Sequence, residues 1–446
     1  MSTHTTLRCS VVAFGLSIVL SCAASAALLT VGPGGSFGEI QPALDAAMAS
    51  PETDEIRLQA GTFVENLNLE LTHQGLSISG GWTSDFTLAS GRTVIDGNLA
   101  ERVLRLTLDH ATLTLERLEL AHGATTTGGG ALFATVTSSL LVLDSSVVRD
   151  NLTQADPEVS AEGAVAVRWS GGSTVALLKS TFQRNRAQGG GPSGGAVSLQ
   201  EATSDGPASS ISIESCSFLD NVLAAEEGHQ ATGSALFLNL RVSQARVFDN
   251  LFRRNAFEGD GLSASTGAAL WAGGNATIEA RRNRFIDQRT TDSTEQLSLI
   301  ASGAARIVAG DSEISRGGGI EPVDGIVVSA RDTARVQLVN LTVVDNSGQG
   351  IKFFTRDASN VSLANSIVVG HSTDTSVTGT VRSVRNLIGL DPSFVQRTNG
   401  NYRLRSNSRA RNAGSNNPPG GLGSLDAARR PRLRGSAVDQ GAYEVQ

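Results

Sequence analysis

The sequence has few cysteines, aromatic residues and lysines. Its 446 residues include 3 cysteines, 3 tryptophans, 2 tyrosines, 15 phenylalanines and two lysines. Cys9 and Cys22 lie in the first 26 residues, so Cys216 is the only cysteine of the remainder, which excludes an internal disulfide there. Charged residues are 18% and hydrophobic residues 40% of the chain, which excludes an acidic disordered chain and a coiled coil. No apolar stretch after residue 20 reaches membrane-spanning length.

The N-terminal segment has the features of a secretory signal peptide. Arg8 precedes an apolar run at residues 11–20, and Ala24-Ser25-Ala26 follows as a small-residue cleavage site. We therefore expect residues 1–26 to be removed and the mature chain to be secreted, either extracellular or on the outer surface. A lipoprotein signal anchored through Cys22 is the alternative, because the residues before Cys22 fit a lipidation box loosely.

Two motifs recur in register along the chain. The first is a segment of small residues that precedes an alternating strand pattern, and it begins at Gly129, Glu162, Gly194, Gly233 and Gly267. The second resembles F-x-x-N, and its copies begin at Val148, Phe182, Phe218, Phe252 and Phe285, with a later one at Val343. The first five copies are 34, 36, 34 and 33 residues apart. A fixed period of this length is the signature of a repeat architecture.

The pattern inside each repeat predicts short strands separated by bends. Apolar residues lie seven and five positions before the Phe position, which is strand alternation, and the alternation then breaks by one residue. We predict an all-β fold, a right-handed parallel β-helix whose coils stack as a solenoid. The last residue of the second motif suits a bend and can form a side-chain ladder between coils. The predicted ladder is Asn151, Asn185, Asn221, Asn255, Gln288 and Asn346.

The residue before each ladder position is charged, and the sign alternates. If one repeat forms one coil, these side chains stack about 4.8 Å apart, so opposite charges attract along the series. The predicted charge ladder is Asp150, Arg184, Asp220, Arg254 and Asp287.

The two ends of the solenoid have distinct sequences. Residues 36–49 carry apolar residues on one helical face, which predicts an amphipathic helix over the open N-terminal end. Ser36 with Glu39 offers a capping box, whereas Pro42 favours a later start near Gln41. Residues 27–380 are then the β-helix with its cap helix. Residues 381–446 contain eleven arginines and four acidic residues, and we expect them to form an Arg-rich C-terminal cap.

These motifs resemble known bacterial surface proteins. The segments GTFVENLNLE, LSISGGW and TVIDGN resemble right-handed β-helix proteins of the pectin-lyase-like superfamily. The small-residue and F-x-x-N elements are similar to the repeats of polymorphic membrane proteins. The tail segments NLIG, DPSF and DQGAYE resemble the "choice-of-anchor Q" surface proteins. The resemblance implies a β-helix at a cell surface and is weak for chemistry.

Catalysis on acidic polysaccharide is an open alternative. A glycoside hydrolase needs two clustered carboxyl groups, and a polysaccharide lyase needs a base together with acidic ligands for Ca²⁺. The loop acids that qualify are Glu226 with Glu227, Glu258 with Asp260, and Asp311 with Glu313. The histidines lack metal-ligand spacing, so we predict no metal site. Ca²⁺ enters only under the lyase alternative.

The function that we expect from the sequence is non-catalytic adhesion or glycan binding. Trp169 and Trp271 follow the small-residue motif in two repeats, where an exposed track of aromatic rings would contact sugars, although packing in the core is the competing interpretation. Partners would be a polysaccharide or a host or envelope surface. We expect no nucleic acid, no cofactor, no transmembrane segment after the signal, and a monomer. A purely structural envelope protein is a further alternative.

Overall fold

The chain folds as the right-handed parallel β-helix that the repeats predict. The computed structural model describes residues 26–156, 159–226, 228–259, 264–267, 269–291 and 294–445, so the predicted signal peptide lies almost wholly outside the described residues. Strands make up 51% of the structure and helix 3%. Each coil passes in turn through three long sheets, which we name C, A and B, and in the middle of the solenoid through a shorter sheet D.

Sheets A and B have 13 and 12 parallel strands. The strands of sheet A are Leu28–Val31, Asp54–Gln59, Gly75–Trp82, Thr112–Glu116, Leu140–Asp144, Thr174–Leu178, Ser210–Glu214, Gln244–Phe248, Thr277–Arg281, Arg306–Gly310, Arg335–Val339, Asn360–Ala364 and Val381–Val384. The strands of sheet B are Gly61–Val64, Thr93–Asp96, Leu118–Ala121, Val147–Arg149, Thr181–Gln183, Ser217–Leu219, Leu251–Arg253, Arg284–Ile286, Glu313–Ser315, Thr342–Val344, Ile367–Val369 and Leu387–Ile388.

Sheets C and D have 11 and 7 parallel strands. The strands of sheet C are Leu67–Thr72, Leu104–Asp109, Leu132–Thr137, Val165–Ser170, Val197–Glu201, Leu236–Leu240, Leu270–Gly274, Thr294–Ala301, Val323–Ala330, Ile351–Thr355 and Thr375–Thr378. The strands of sheet D are Ala124–Thr125, Leu152–Gln154, Arg186–Gly189, Val222–Ala225, Ala256–Glu258, Arg289–Thr290 and Gly318–Gly319. A small parallel pair joins Gln230–Thr232 to Ala264–Thr266.

The corner between sheets B and D holds the residues of the predicted side-chain ladder. Asn221 Oδ1 accepts hydrogen bonds from the backbone N–H and the side-chain amide of Asn185, at 3.1 and 3.0 Å. The Asn221 amide in turn donates to Asn255 Oδ1 at 2.9 Å and to the Phe182 carbonyl at 2.9 Å. The same pattern links Asn151 to Asn185 and Asn255 to Gln288. Each side chain therefore satisfies the corner N–H of the preceding coil, which has no strand partner.

The predicted ladder skips one coil between Gln288 and Asn346. Gly317 occupies the intervening corner, and its N–H donates to Asn346 Oδ1 at 2.9 Å. A Cβ at Gly317 would lie 2.9 Å from the amide nitrogen of Gln296, which reaches this corner from sheet C and bonds to Asn346. The side chain of Gln296, from sheet C, therefore occupies the space that a side chain at Gly317 would take.

At this corner the charged residue has the left-handed backbone conformation. The asparagine that follows it, which the motif predicts at the bend, does not. Asp150, Arg184, Asp220, Arg254 and Asp287 have φ between 52° and 56°. This backbone turns the charged side chain outward and leaves the next residue pointing inward. The asparagine fits the corner through its hydrogen bonds.

The charged residues pair between neighbouring coils. Arg184 donates two hydrogen bonds to Asp150, at 2.7 and 2.8 Å, and this pairing lowers the pKa of Asp150. Arg254 binds Asp220 in the same way, at 2.6 and 2.7 Å. Asp287 pairs with Arg316, one coil beyond the predicted series. These pairs are partly exposed, so each contributes little stability.

A second ladder occupies the corner between sheets A and B. Asn250 Oδ1 accepts from the Cys216 N–H at 2.8 Å, and its amide donates to Asn283 at 3.0 Å. Ser146 and Ser180 hold the same position in earlier coils, where hydroxyl oxygens accept the corner N–H groups. Cys216 is buried, and burial raises the pKa of its thiol to about 12, so the thiol is unreactive at neutral pH.

Phenylalanines of the second motif stack inside the solenoid. The ring centroids of Phe182 and Phe218 are 4.9 Å apart, those of Phe218 and Phe252 4.6 Å, and those of Phe252 and Phe285 4.7 Å. The separation matches the strand spacing, so each coil contributes one ring to a continuous column in the core.

The cap helix is Ile40–Met48, so it starts one residue before Gln41, near the start that Pro42 favours, and the capping box of Ser36 with Glu39 does not form. Glu65, from the first full coil, accepts hydrogen bonds from the N–H groups of Ile40 and Gln41 at 2.9 and 3.0 Å. A carboxylate at a helix N-terminus is also favoured by the helix dipole. A residue distant in sequence therefore caps the helix and ties it to the solenoid.

The C-terminal segment lies along the side of the solenoid, which differs from the end cap that the arginine content suggests. Its first residues complete the last coil of sheets A and B. A hairpin of Phe394–Gln396 and Asn401–Leu404, joined through the 3₁₀ turn Arg397–Asn399, then packs on the outer face of sheet B. Val377 continues the inward row of Phe353 in the last strand of sheet C and is 50% exposed, so the described residues leave this end open.

Arginines and tyrosines of this C-terminal tail bind acids on sheets A and B. Arg432 is 1% exposed and lies 3.5 Å from the buried Asp311 and 3.4 Å from Glu444. Tyr443 bonds to Glu313. Arg432 thus adds a second cation to Asp311, which Arg281 of sheet A also binds, and joins it to Glu444 of the tail.

The corner ladder makes a specific stability prediction. Asn221→Ala removes four buried hydrogen bonds and leaves the Asn185 N–H without a partner, so we expect a loss of about 3 kcal/mol. The exposed Asn407→Ala serves as the control, because the side chain of Asn407 lies at the surface. Thermal unfolding followed by circular dichroism measures both. Equal melting temperatures would contradict the role assigned to the ladder.

The tail makes a second prediction. Arg432→Met removes the guanidinium shared by Asp311 and Glu444; Asp311 keeps Arg281, whereas Glu444 loses its cation in a buried setting, which costs up to about 3 kcal/mol. We expect proteases to release the tail from Arg432→Met far faster than from wild type. Arg409→Met, at an exposed position, is the matched control. A cleavage rate for Arg432→Met no greater than that of the control would refute the docking role.

Candidate functional site

The outer face of sheet C carries two stacked aromatic rings, Phe237 and Trp271, which we call the aromatic step. Phe237 and Trp271 are register partners on neighbouring strands, and their rings stack with centroids 4.7 Å apart. Gly273 faces the same side, and a Cβ there would lie 2.7 Å from the Trp271 indole, so the glycine makes room for the ring. Trp271 is half-buried and remains accessible from outside.

Trp169 is not available to an external glycan. It lies on the inward side of its strand, in register with Val136, and is 1% exposed. The inward row of sheet C is the hydrophobic core, so the competing interpretation of core packing is correct for this residue. Of the two tryptophans expected to contact sugar, only Trp271 is at the surface.

A depression of about 260 Å³ opens on the same face, one to three strands beyond Trp271. It lies on the strands Thr294–Ala301, Val323–Ala330 and Ile351–Thr355. Phe354 is 44% exposed and, with Ile300 and Val327, forms its apolar wall. Its polar residues are Thr294, Glu295, Ser298, Asp324 and Lys352.

Asp324 and Lys352 form an ion pair at the depression. Lys352 Nζ lies 2.5 Å from Asp324 Oδ2, and Asp324 Oδ1 accepts the Gln349 N–H at 2.6 Å. Both oxygens of this carboxylate are therefore engaged within the protein. Lys352 is partly exposed, and its ammonium has further hydrogen atoms to donate.

Glu295 is the acid of the depression that has one unpartnered oxygen. It is in register with Asp324 on the neighbouring strand and is 6% exposed. Its Oε1 atom is buried and has no hydrogen-bond partner among the residues that the structure describes. Burial, together with the negative charge of Asp324, raises the pKa of Glu295 to about 7. Near neutral pH this carboxyl group is therefore partly protonated, and it can either donate or accept a hydrogen bond.

The two neighbouring carboxyl groups of the depression differ in what they are free to contact. A hydrolase requires two carboxyl groups that both act on substrate, and here Asp324 is held by Lys352 and a backbone N–H. The depression instead offers one carboxyl group, one ammonium and an apolar wall.

Of the loop acids considered for catalysis, those that the structure describes do not line this depression. Asp311 and Glu313 are buried beneath the tail, where Arg281 binds Asp311 at 2.9 Å. Glu258 pairs with Arg186 at 2.7 Å. Glu227 and Asp260 lie outside the described residues.

Sequence reasoning missed Glu295, Asp324 and Lys352. Glu295 and Asp324 occupy the second position of the small-residue motif, where earlier repeats have Gly130, Gly163 and Gly195. The signal was available in the sequence, because Thr294-Glu295-Gln296-Leu297 and Val323-Asp324-Gly325-Ile326 break an otherwise regular series of small residues.

Across the described ranges, no group of three or more histidine, cysteine, aspartate or glutamate side chains is placed to hold a metal ion. In the same part of the chain, no helix has both the length and the apolar character needed to cross a bilayer.

Comparison with known proteins assigns no family to the chain. No protein-family model matches the chain, and no curated protein matches it. The solved structure of the pectate lyase Pel9A is similar over 90% of each chain, at 12% identity and a TM-score of 0.38. A pectin methylesterase from Aspergillus niger is similar over 76% of this chain and 91% of its own, at 14% identity and a TM-score of 0.30. These likenesses carry no residue role to this chain.

The raised pKa of Glu295 predicts a pH-dependent stability. The folded state holds the proton more tightly than the unfolded chain, so this stabilisation is complete below pH 4.5 and is lost as the pH rises through about 7. The shift corresponds to up to about 3 kcal/mol. Glu444 in the tail, raised to about 7 by burial, acts in the same direction.

We therefore expect the melting temperature of wild type to fall between pH 5 and pH 8, and the fall to be smaller in Glu295→Gln. Glu321→Gln, at an exposed position, should behave like wild type. A Glu295→Gln variant with the same pH dependence as wild type would contradict the assignment.

Proposed function

We propose that this protein binds a glycan along the outer face of sheet C and does not cleave it. The observation that carries the proposal is the depression at Glu295, where a buried, unpartnered carboxyl oxygen and the Lys352 ammonium lie beside an exposed phenylalanine. A sugar ring has an apolar face and a rim of hydroxyl groups, so it matches this combination. Proteins often orient such ligands by a few polar groups in an otherwise apolar site.

The aromatic step extends the same surface. Trp271 is on the strand adjacent to Thr294–Ala301, and the strand spacing is about 4.8 Å, so the ring is close enough for one extended ligand to contact both features. Regular stacking of the coils places such contacts in a line, which suits a linear polymer.

The proposal includes a location outside the cell. The signal-like residues 1–26 and the resemblance to surface β-helix proteins support a secreted or surface-associated chain. Adhesion to a polysaccharide or to an envelope surface is the role that we infer for glycan binding in that location. Cleavage of acidic polysaccharide and a purely structural role are outcomes of the test below.

The test uses the chain's two lysines as a matched pair. Lys352→Met removes the ammonium from the depression, whereas Lys179→Met removes one that is 68% exposed and paired loosely with Asp144 at 3.6 Å. Binding of both variants to pectin, polygalacturonate, alginate and chondroitin is measured with immobilised polymer. We expect Lys352→Met and Trp271→Ala to lose about tenfold in affinity for the polymer that wild type binds. Lys179→Met should bind like wild type.

The same incubations, with and without Ca²⁺, are assayed for unsaturated and reducing ends. We expect no product. Accumulating product would replace the binding function with a lyase or hydrolase, and the absence of both binding and product would leave the structural role.

A further inference from the structure

A second pocket, of about 390 Å³, lies on the outer face of sheet C towards the N-terminal end. It is built on the strands Leu104–Asp109, Leu132–Thr137 and Val165–Ser170, with residues of the segments that precede these strands at its edge. Phe133 lies among three arginines, Arg102, Arg105 and Arg168. None of these residues takes part in the ladders or in the tail contacts.

Two guanidinium groups lie over one ring, and a third arginine lines the same pocket. Arg102 lies over Phe133 with its guanidinium carbon 5.1 Å from the ring centroid, and Arg168 lies 5.7 Å from it. Arg105 is the register partner of Phe133 on the preceding strand and is exposed. Each cation–π contact stabilises the position of its guanidinium. The ring therefore holds like charges closer together than repulsion alone would favour.

The acids of the pocket do not balance these charges. Glu162 is buried, and its Oε1 accepts hydrogen bonds from Arg168 and from Gln200, both at 2.8 Å. Arg102 donates to the hydroxyls of Thr125 and Thr127, at 3.1 and 3.2 Å. Within the described part of the chain, no carboxylate lies within ion-pairing distance of Arg102 or Arg105.

The Arg102 guanidinium is destabilised in its charged form by this arrangement. Burial, with the positive charge of Arg105 adding to it, lowers the pKa of the Arg102 guanidinium. A partly buried cation normally has an anionic partner. The chain as a whole has a formal charge of −7, so overall composition does not account for a cationic pocket.

We propose that this pocket binds an oxyanion, a carboxylate, sulfate or phosphate group, carried by the glycan that lies along sheet C. Planar guanidinium groups with several N–H donors match the oxygen atoms of such groups in geometry and charge. The glycan part of this inference rests on the proposed function, whereas the oxyanion part rests on the pocket alone.

The position of the pocket gives the ligand a minimum length. Phe133 and Lys352 lie seven strands apart in sheet C, which is about 34 Å at the strand spacing. A polymer that reaches both sites binds more tightly than one that reaches a single site, because its second contact forms at a high effective concentration. The protein therefore favours long acidic chains over short ones.

The first experiment measures preference between polymers of matched length, dextran and dextran sulfate, with polygalacturonate and lipopolysaccharide as carboxylate and phosphate carriers. We expect wild type to bind at least one charged polymer at least tenfold more tightly than dextran. Arg105→Gln, an exposed change, should lose most of that preference, and Arg102→Gln with Arg105→Gln should lose all of it. Arg331→Gln with Arg335→Gln, two exposed arginines elsewhere, is the matched control.

The second experiment replaces the polymer by inorganic sulfate or phosphate and measures the melting temperature. We expect either anion to raise the melting temperature of wild type and to have a smaller effect on Arg105→Gln. If the anions act in this way while no polymer binds, the pocket takes a free oxyanion and the glycan part is refuted.

The two proposals fail differently. A wild type that binds dextran and dextran sulfate equally well refutes the oxyanion pocket and leaves glycan binding intact. A wild type that binds no polymer refutes the proposed function. Arginine variants that keep the full preference of wild type for the charged polymer refute the assignment to this pocket.

Discussion

The stacked side chains at the two inner corners are the interaction on which the rest of this structure depends. A parallel coil that turns sharply leaves backbone N–H groups pointing inward, where they have neither a strand partner nor water. Asn185, Asn221 and Asn255 accept those bonds at one corner, and Asn250 and Asn283 accept them at the other. Because each amide also bonds to the next coil, the hydrogen bonds that pair the corner N–H groups also fix the register between neighbouring coils.

That register places the outward residues in columns. Trp271 stands next to Phe237, and Glu295 next to Asp324, because their coils begin sheet C at equivalent positions. The tail covers parts of sheets A and B and leaves this face of sheet C open. The face combines an aromatic step, a carboxyl–ammonium depression and a cluster of arginines. We propose a linear glycan with acidic groups as the ligand that would contact all three.

The repeat period and the strand alternation were sufficient to predict the β-helix, because every coil repeats the same inward pattern. The residues Asn151, Asn185, Asn221, Asn255 and Gln288 could be assigned to one corner for the same reason. The tail could not be placed, because its contacts join residues more than 100 positions apart, such as Tyr443 and Glu313. Trp169 and Trp271 were grouped by their distance from the same motif, but Trp169 shares the inward phase of Val167 whereas Trp271 has the opposite phase to the inward Leu270, so the strand alternation distinguishes them.

The depression at Glu295 escaped sequence reasoning because its chemistry comes from three coils at once. Glu295 and Asp324 interrupt the series of small residues in the sequence, but only the register brings these acids together with the Lys352 ammonium. Its significance lies in an unpartnered oxygen, which is a property of packing and not of any motif.

The most direct test of the account is to locate the bound glycan on the protein. An oligosaccharide of the bound polymer, carrying a photoactivated cross-linker, is irradiated with the protein and the labelled peptides are identified by mass spectrometry. The account predicts labels within residues 294–301, 323–330 and 351–355 of sheet C. Labels confined to the tail at residues 389–445 or to the outer face of sheet A would contradict it.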